Sequence, residues 1–260
     1  MVQEEKIIRK VSEIGNGAHI FAPREWLNEE VILVRIPRKN TKEEILKLLS
    51  PYLDRVIAVF LYGSYARNEQ NKNSDMDIFV ISSEKFIVKA KNMEFIIVPE
   101  DKIQTAKRIN PVLFYSMIKE AVPIINSSYL ERLKTEKVSL KNFKEFIEDT
   151  KRMIAINKGF IDLEKQDKIS GATIYSLILR LRGAFIINSL LKGKKYSGEE
   201  FKNWLIKNSG ADYEKIYKIY RDMRDDKISE EKANVSEAEF LLNFLAKEIS
   251  NLKNEKKKEA

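Results

Sequence analysis

The sequence contains no cysteine, so it forms no disulfide and offers no thiolate to a metal. Its one histidine, His19, has no metal-ligating neighbours and reads as a strand residue. Glycine is scarce, with nine in 260 residues. No stretch approaches 18 consecutive apolar residues, and the first 30 residues alternate charge with apolar groups. Neither a transmembrane span nor a signal peptide is therefore expected, and the expectation is a cytoplasmic protein with no membrane partner. A hydrophobic share of 43% is ordinary for a globular chain, and the length suits one large domain or two to three small ones.

Charge is what the chain has in plenty. Charged residues make up 33%, with a formal net charge of +8. The excess is uneven: residues 131–260 carry 28 Lys and Arg against 22 Asp and Glu. A polyanionic partner such as RNA or DNA would account for it, as would lysine used for solubility.

The most informative stretch is 57–81. Two apolar runs, Ile57–Tyr62 and Ile78–Ile81, flank a polar segment that opens with Gly63-Ser64 and closes with Asp75-Met76-Asp77. Short apolar runs bounded by turn residues predict buried strands. On a strand, positions 75 and 77 share a face, while Met76 and Ile78 face the core. Neighbouring carboxylates repel unless a cation lies between them. Oxygen ligands near phosphate favour magnesium.

Gly63-Ser64, Ala66-Arg67, then Ser74-Asp75-x-Asp77 resembles the GSxAR…SDxD signature of the DNA polymerase β nucleotidyltransferase superfamily. The resemblance implies that Gly63 and Ser64 hold the triphosphate of an NTP, with ATP the family-level expectation. It also implies that Asp75 and Asp77 hold two magnesium ions and that a third carboxylate comes from a later strand. Glu94, an acid in the apolar run Met93–Val98, is the candidate for that carboxylate, as metal ligand or general base. Its alternative is a surface residue at a strand end. Arg67 and Ser74 complete the nucleotide-binding set.

Upstream, residues 1–40 read as a small β unit. Ile7–Val11 and His19–Phe21 flank a Gly15-Asn16-Gly17 turn, Pro23 starts a helical turn, and Val31–Ile36 predicts a strand. The stretch from Lys10 to Ile36 resembles the AbrB/MazE-type swapped hairpin, which implies a homodimer and contact with DNA. Such a unit buries little surface alone and is expected to dimerise or dock. Thr41-x-x-Glu44 is a capping box opening a helix. Helical periodicity runs over 103–119, with Pro111 at a start or kink, and Val122–Ile125 predicts a last strand.

The rest reads as helices. Ile174–Leu191 is apolar on most sides with Arg180 and Arg182 embedded, and these arginines are expected to neutralise a buried acid rather than reach phosphate. Ser197-x-x-Glu200 and Ser236-x-x-Glu239 are capping boxes. Tyr213, Tyr217 and Tyr220 form a stripe that reads as core packing. The bundle resembles the helical domains that accompany small nucleotidyltransferases, including the HEPN type. The HEPN ribonuclease motif is absent, because Arg182 is followed by Asn188 where a histidine would stand.

The expected fold is thus α+β. Residues 1–40 form an AbrB-like unit, 41–130 a nucleotidyltransferase domain with a mixed sheet and flanking helices, and 131–260 a helical bundle that binds substrate. The expected activity is transfer of NMP from an NTP to RNA, protein or a small molecule. The alternative is a DNA-binding regulator or toxin–antitoxin component whose nucleotidyltransferase core senses nucleotide or is inert.

Overall fold

The computed structural model describes residues 9, 11–31, 41–70 and 74–255. The expected strand Val31–Ile36 lies outside these residues apart from Val31, as does most of the run Ile7–Val11. The chain divides into two compact units, residues 1–41 and 42–260.

Within the first unit, β1 (Ser12–Ile14) and β2 (Gly17–His19) form an antiparallel hairpin about the expected turn, but the strands lie closer to it than the expected runs: Val11 precedes β1, and of His19–Phe21 only His19 is in a strand. Pro23 precedes a 3-10 turn, Arg24–Trp26. Apolar side chains remain exposed here, including Val11, Ile14, Phe21 (73%) and Leu27 (70%).

All of α1 (Thr41–Leu49) except its first residue belongs to the second unit, and this helix buries Ile45 and Leu49. Then β3 (Val56–Tyr62), rich in β-branched and aromatic residues, runs into a single turn of helix, α2 (Gly63–Arg67). Next come β4 (Met76–Ser82), β5 (Met93–Pro99), α3 (Ile103–Ile109), α4 (Pro111–Glu120), β6 (Val122–Ile125) and α5 (Ser127–Lys134). The sheet order is β5-β4-β3-β6. β4 and β5 are parallel, and β3 is antiparallel to both β4 and β6. The helical run expected over 103–119 is two helices. Asn110 caps the second by accepting the Leu113 N–H at 3.2 Å, and Pro111 takes the first helical position, where its missing N–H costs nothing.

Alternation sorts the sheet into two faces. Val59, Ile78 and Val80 pack on Ile45 and Leu49 of α1. Ala58, Phe60, Phe79 and Ile81 face the opposite way, into a larger core shared with α4, α5 and the helices that follow. Burying Phe60 and Phe79 contributes about 1.5–3 kcal/mol each.

Those helices are α6 (Lys144–Leu163), α7 (Gly171–Leu191), α8 (Gly198–Ser209), α9 (Tyr213–Arg224) and α10 (Val235–Glu255). Ser197 Oγ accepts the Glu200 N–H at 3.3 Å and caps α8 as expected. The expected cap at Ser236 does not form, because α10 starts at Val235. There Glu237 reaches back to accept the Asn234 N–H at 2.8 Å, so the cap lies two residues earlier. Among the described residues α7 alone is long and apolar enough, by length and composition, to cross a membrane, although Arg180 and Arg182 interrupt its apolar run. Half of it is buried, and its Ile174, Leu177, Ile178, Leu181 and Ile187 are fully covered by the rest of the fold. Helices apolar all round belong in the middle of a bundle.

Leu181 is 0% exposed and Leu179, on the same helix, is 39% exposed. Leu181→Ala is expected to lower unfolding free energy by about 2–5 kcal/mol. Leu179→Ala should change it by no more than about 0.5 kcal/mol. Urea midpoints of the two variants check this, and equal shifts would contradict the central position of α7.

Candidate active site

At the carboxyl end of β3 the chain must turn sharply, and Gly63 does so with φ +73°. A second constraint acts on the same residue. A Cβ on Gly63 would stand 1.9 Å from Oδ2 of Asp77, so only glycine lets this carboxylate lie against the turn. Tyr62 pairs with Asp77 across β3 and β4, and Asp77 pairs with Glu94 across β4 and β5. These three positions form one row across the sheet, on the face that carries Phe60, Phe79 and Ile96. Asp75 precedes β4 and is exposed.

This row opens into a cleft of about 1550 Å³. All seven residues singled out from the sequence line it: Gly63, Ser64, Arg67, Ser74, Asp75, Asp77 and Glu94. The facing wall comes from the bundle, with Lys144, Arg152, Arg180, Arg182, Arg221 and Arg224 among its residues. A second cavity of about 720 Å³, between residues 164–171 and 219–233, holds none of the seven.

The electrostatics reflect crowded carboxylates. Burial pushes the Asp77 carboxyl up to about 6, and Glu94 pushes it further in the same direction than Glu120 or Asp75 do, with Arg67 pulling the other way. The Tyr62 phenol is raised well above its usual range by burial and then by Asp77, Glu94 and Glu120, and it stays neutral. Among the described residues no three acids converge closely enough to grip a metal ion by themselves. The donors fit magnesium nonetheless: they are hard oxygens, they repel one another, and magnesium commonly takes one or two carboxylates and completes its shell with phosphate oxygens and water.

One residue at the site escaped the sequence reading. Glu120, at the end of α4, is 4% exposed. Its Oε1 accepts the Gly63 N–H at 2.8 Å, and its Oε2 accepts from Nη1 of Arg67 at 2.7 Å. Burial raises its pKa, and Arg67 and the Gly63 N–H oppose that rise. Gly63 therefore presents no free N–H to a phosphate while this bond lasts. The available signal was an acid in the last turn of an apolar helix, where the helix dipole disfavours a negative charge. Such an acid needs donors from elsewhere.

Arg67, expected near phosphate, is tied on two sides. Besides Glu120, its Nε donates to Oε2 of Glu69 at 2.8 Å, and its guanidinium lies 5.1 Å from the Tyr196 ring centre. Glu69 in turn accepts the Gly198 N–H at 3.2 Å, at the start of α8. The two bundle arginines diverge. Arg180 meets an acid as expected, Asp149 at 2.6 Å, but that acid is half-exposed on the cleft wall and not buried. Among the described residues Arg182 forms no ion pair, but its charge opposes the rise that burial gives the Glu120 pKa. It lies 5.0 Å from the Tyr196 ring centre, with Nη1 3.5 Å from the Tyr220 hydroxyl. Tyr220 is buried and stacked on Tyr175, whereas Tyr217 lines the cleft beside Arg221.

The family model described as polymerase beta, nucleotidyltransferase, matches residues 43–130. Over 81 residues the chain is 32% identical to a putative protein adenylyltransferase, MJ0141, of Methanocaldococcus jannaschii, covering 31% of this chain and 79% of that one. Among solved structures, spectinomycin adenyltransferase AAD(9) from Enterococcus faecialis, with ATP and spectinomycin, aligns over 78% of this chain and 97% of its own. The identity is 16% and the TM-score 0.46. A toxin–antitoxin structure with AMP-PNP aligns over 47% of this chain and 96% of its own, at 18% identity and a TM-score of 0.27.

An unfolded aspartate titrates near 3.9. Because the folded value of Asp77 is raised, its protonated form favours the fold, and that contribution is complete below about pH 4 and lost as pH climbs through about 6. Asp77→Asn removes this dependence. In chelator-treated protein, the melting temperature of the variant minus that of the wild type should rise between about pH 4 and pH 6 and level off above. A difference independent of pH would reject the raised value.

Proposed function

This chain belongs to the polymerase β-type nucleotidyltransferase family, and on that premise we propose that it transfers the nucleoside monophosphate of ATP to a hydroxyl-bearing acceptor and releases pyrophosphate. The observation that carries the reading is the row of Asp77 and Glu94, in register on one sheet face and opening into the cleft beside the Gly63 turn.

In this reading the acceptor oxygen attacks the α-phosphorus. The bond from that phosphorus to the oxygen bridging toward the β-phosphorus breaks, and pyrophosphate leaves with that oxygen. Glu94, the most exposed of the row, takes the proton of the acceptor hydroxyl. Asp75 and Asp77 are the carboxylates that would hold magnesium, with Glu94 a third. Magnesium bound there supplies positive charge to the attacking and leaving oxygens. Ser64 and the N–H groups that follow it on α2 face the phosphates, as a turn entering a helix suits an anion. Preorganised charge of this kind is the main source of rate in phosphoryl-type transfer. The likeness to the putative protein adenylyltransferase of Methanocaldococcus jannaschii supports adenylyl as the group moved and a protein side chain as the acceptor. Such a reaction draws on the cellular NTP supply, which suits a cytoplasmic protein.

The test uses radiolabelled ATP, magnesium and cell extract as the source of acceptor. Wild-type protein should transfer label from the α-phosphate. Asp77→Ala and the Asp75→Ala/Asp77→Ala pair should lose at least about 100-fold. Transfer that survives the double change would reject the assignment.

The exposed apolar side chains of the hairpin unit support self-association as a second part of this reading. Phe21 and Leu27 are the most exposed of them. Sedimentation of the full chain should give a dimer, and Phe21→Asp with Leu27→Asp should give a monomer. A wild-type monomer would contradict it.

A further inference from the structure

We infer that Glu120 is a positioning residue that keeps the Arg67 guanidinium away from the Asp77–Glu94 pair and so leaves those carboxylates free for a divalent cation. The inference rests on the metal-dependent reading above and goes beyond it, since Glu120 lies 57 positions from Gly63 and outside the signature.

Three observations converge. First, both oxygens of Glu120 are committed, one to the Gly63 N–H at 2.8 Å and the other to Arg67 at 2.7 Å. A carboxylate only 4% exposed is held there by one neutral and one charged donor, which fixes its place beside the turn. Second, Arg67 lines the same cleft as Asp77 and Glu94 and lies close enough to Asp77 to act on its charge. Third, the turn that Glu120 holds is the turn against which Asp77 is pressed, with no room for one more carbon between them. Glu120 thus fixes two things at once: the backbone that sets where Asp77 stands, and the cation that would otherwise neutralise it.

Competition decides the outcome. An arginine paired with Asp77 occupies the same oxygens a divalent ion needs. A released Arg67 keeps only Glu69, whose side chain is 32% exposed and already shared with the start of α8. Neutral Gln at position 120 still accepts a hydrogen bond but no longer offsets the guanidinium charge. Arg67 then turns toward the remaining carboxylates, and divalent cations bind less well. Outer residues of this kind typically change metal affinity by about 10- to 100-fold.

The experiment measures Mn²⁺ binding to the full chain by electron paramagnetic resonance, without nucleotide and independent of turnover, with melting temperature recorded alongside. Glu120→Gln should bind Mn²⁺ about tenfold more weakly than wild type. Arg67→Gln alone should change binding by less than about threefold, and adding it to Glu120→Gln should restore binding to within about threefold of wild type, a non-additivity that neither the loss of one anionic charge nor a purely structural defect produces. If Glu120→Gln does not fold, Glu69→Gln, which removes the other anchor of Arg67 from a partly exposed position, should weaken binding about two- to threefold. Unchanged Mn²⁺ affinity in the folded variant, or weakened affinity that the second substitution leaves unrepaired, overturns the inference. Absence of Mn²⁺ binding by the wild type overturns the metal-dependent reading itself.

Discussion

The structure depends on a contact without clearance. Asp77 lies against the α-carbon of Gly63, and the space between them excludes even a methyl group. Everything near it follows from that closeness. The turn takes a positive φ, which glycine alone adopts at little cost. The carboxylate is drawn out of water and next to Glu94, so its proton is held more tightly. A protein would gain stability by relaxing this crowding. That it is built into the fold is the pattern of a site that trades stability for readiness to bind charge.

The local part of the site was legible because the signature is local. Gly63 to Asp77 spans one strand, one turn of helix and the start of the next strand, and alternation alone puts Asp77 and Glu94 on a common face once the strands are parallel and in register. Glu120 was hidden for the opposite reason. Its partners are 57 and 53 residues away, and nothing in the run SMIKEAV says which backbone it will meet. The same limit explains the arginines. Both were expected to neutralise acids, but whether a partner is an acid or a tyrosine ring depends on which helices face α7. Arg180 meets Asp149 on α6, and Arg182 meets Tyr196 and Tyr220.

Smaller departures have equally concrete causes. Asn110-Pro111 divides a single helical periodicity into two helices, because a proline following a capping asparagine starts a helix as readily as it kinks one. At α10 the pattern Ser236-x-x-Glu239 competes with Asn234-x-x-Glu237, and the second prevails. Lys168 donates to Oδ1 of Asn234 at 2.7 Å, which anchors that residue across the bundle, and sequence spacing carries no trace of such an anchor. The apolar run of α7 satisfies membrane length and composition, yet its arginines find Asp149 and tyrosines inside the unit.

The two walls of the cleft are joined by more than apolar packing. From Gly63 a continuous series of contacts runs through Glu120, Arg67 and Glu69 to the N–H of Gly198, and through the Tyr196 ring to Arg182. The links are two backbone N–H groups donating to carboxylates, two arginine–carboxylate pairs and two cation–ring contacts, in surroundings partly shielded from water, where such interactions are stronger than on an open surface. The sheet side supplies Asp75, Asp77 and Glu94, and the bundle wall carries arginines interleaved with Glu145, Glu148, Asp149 and Asp225. One arginine, Arg67, belongs to both sets of contacts, through Glu120 on one side and the Tyr196 ring on the other.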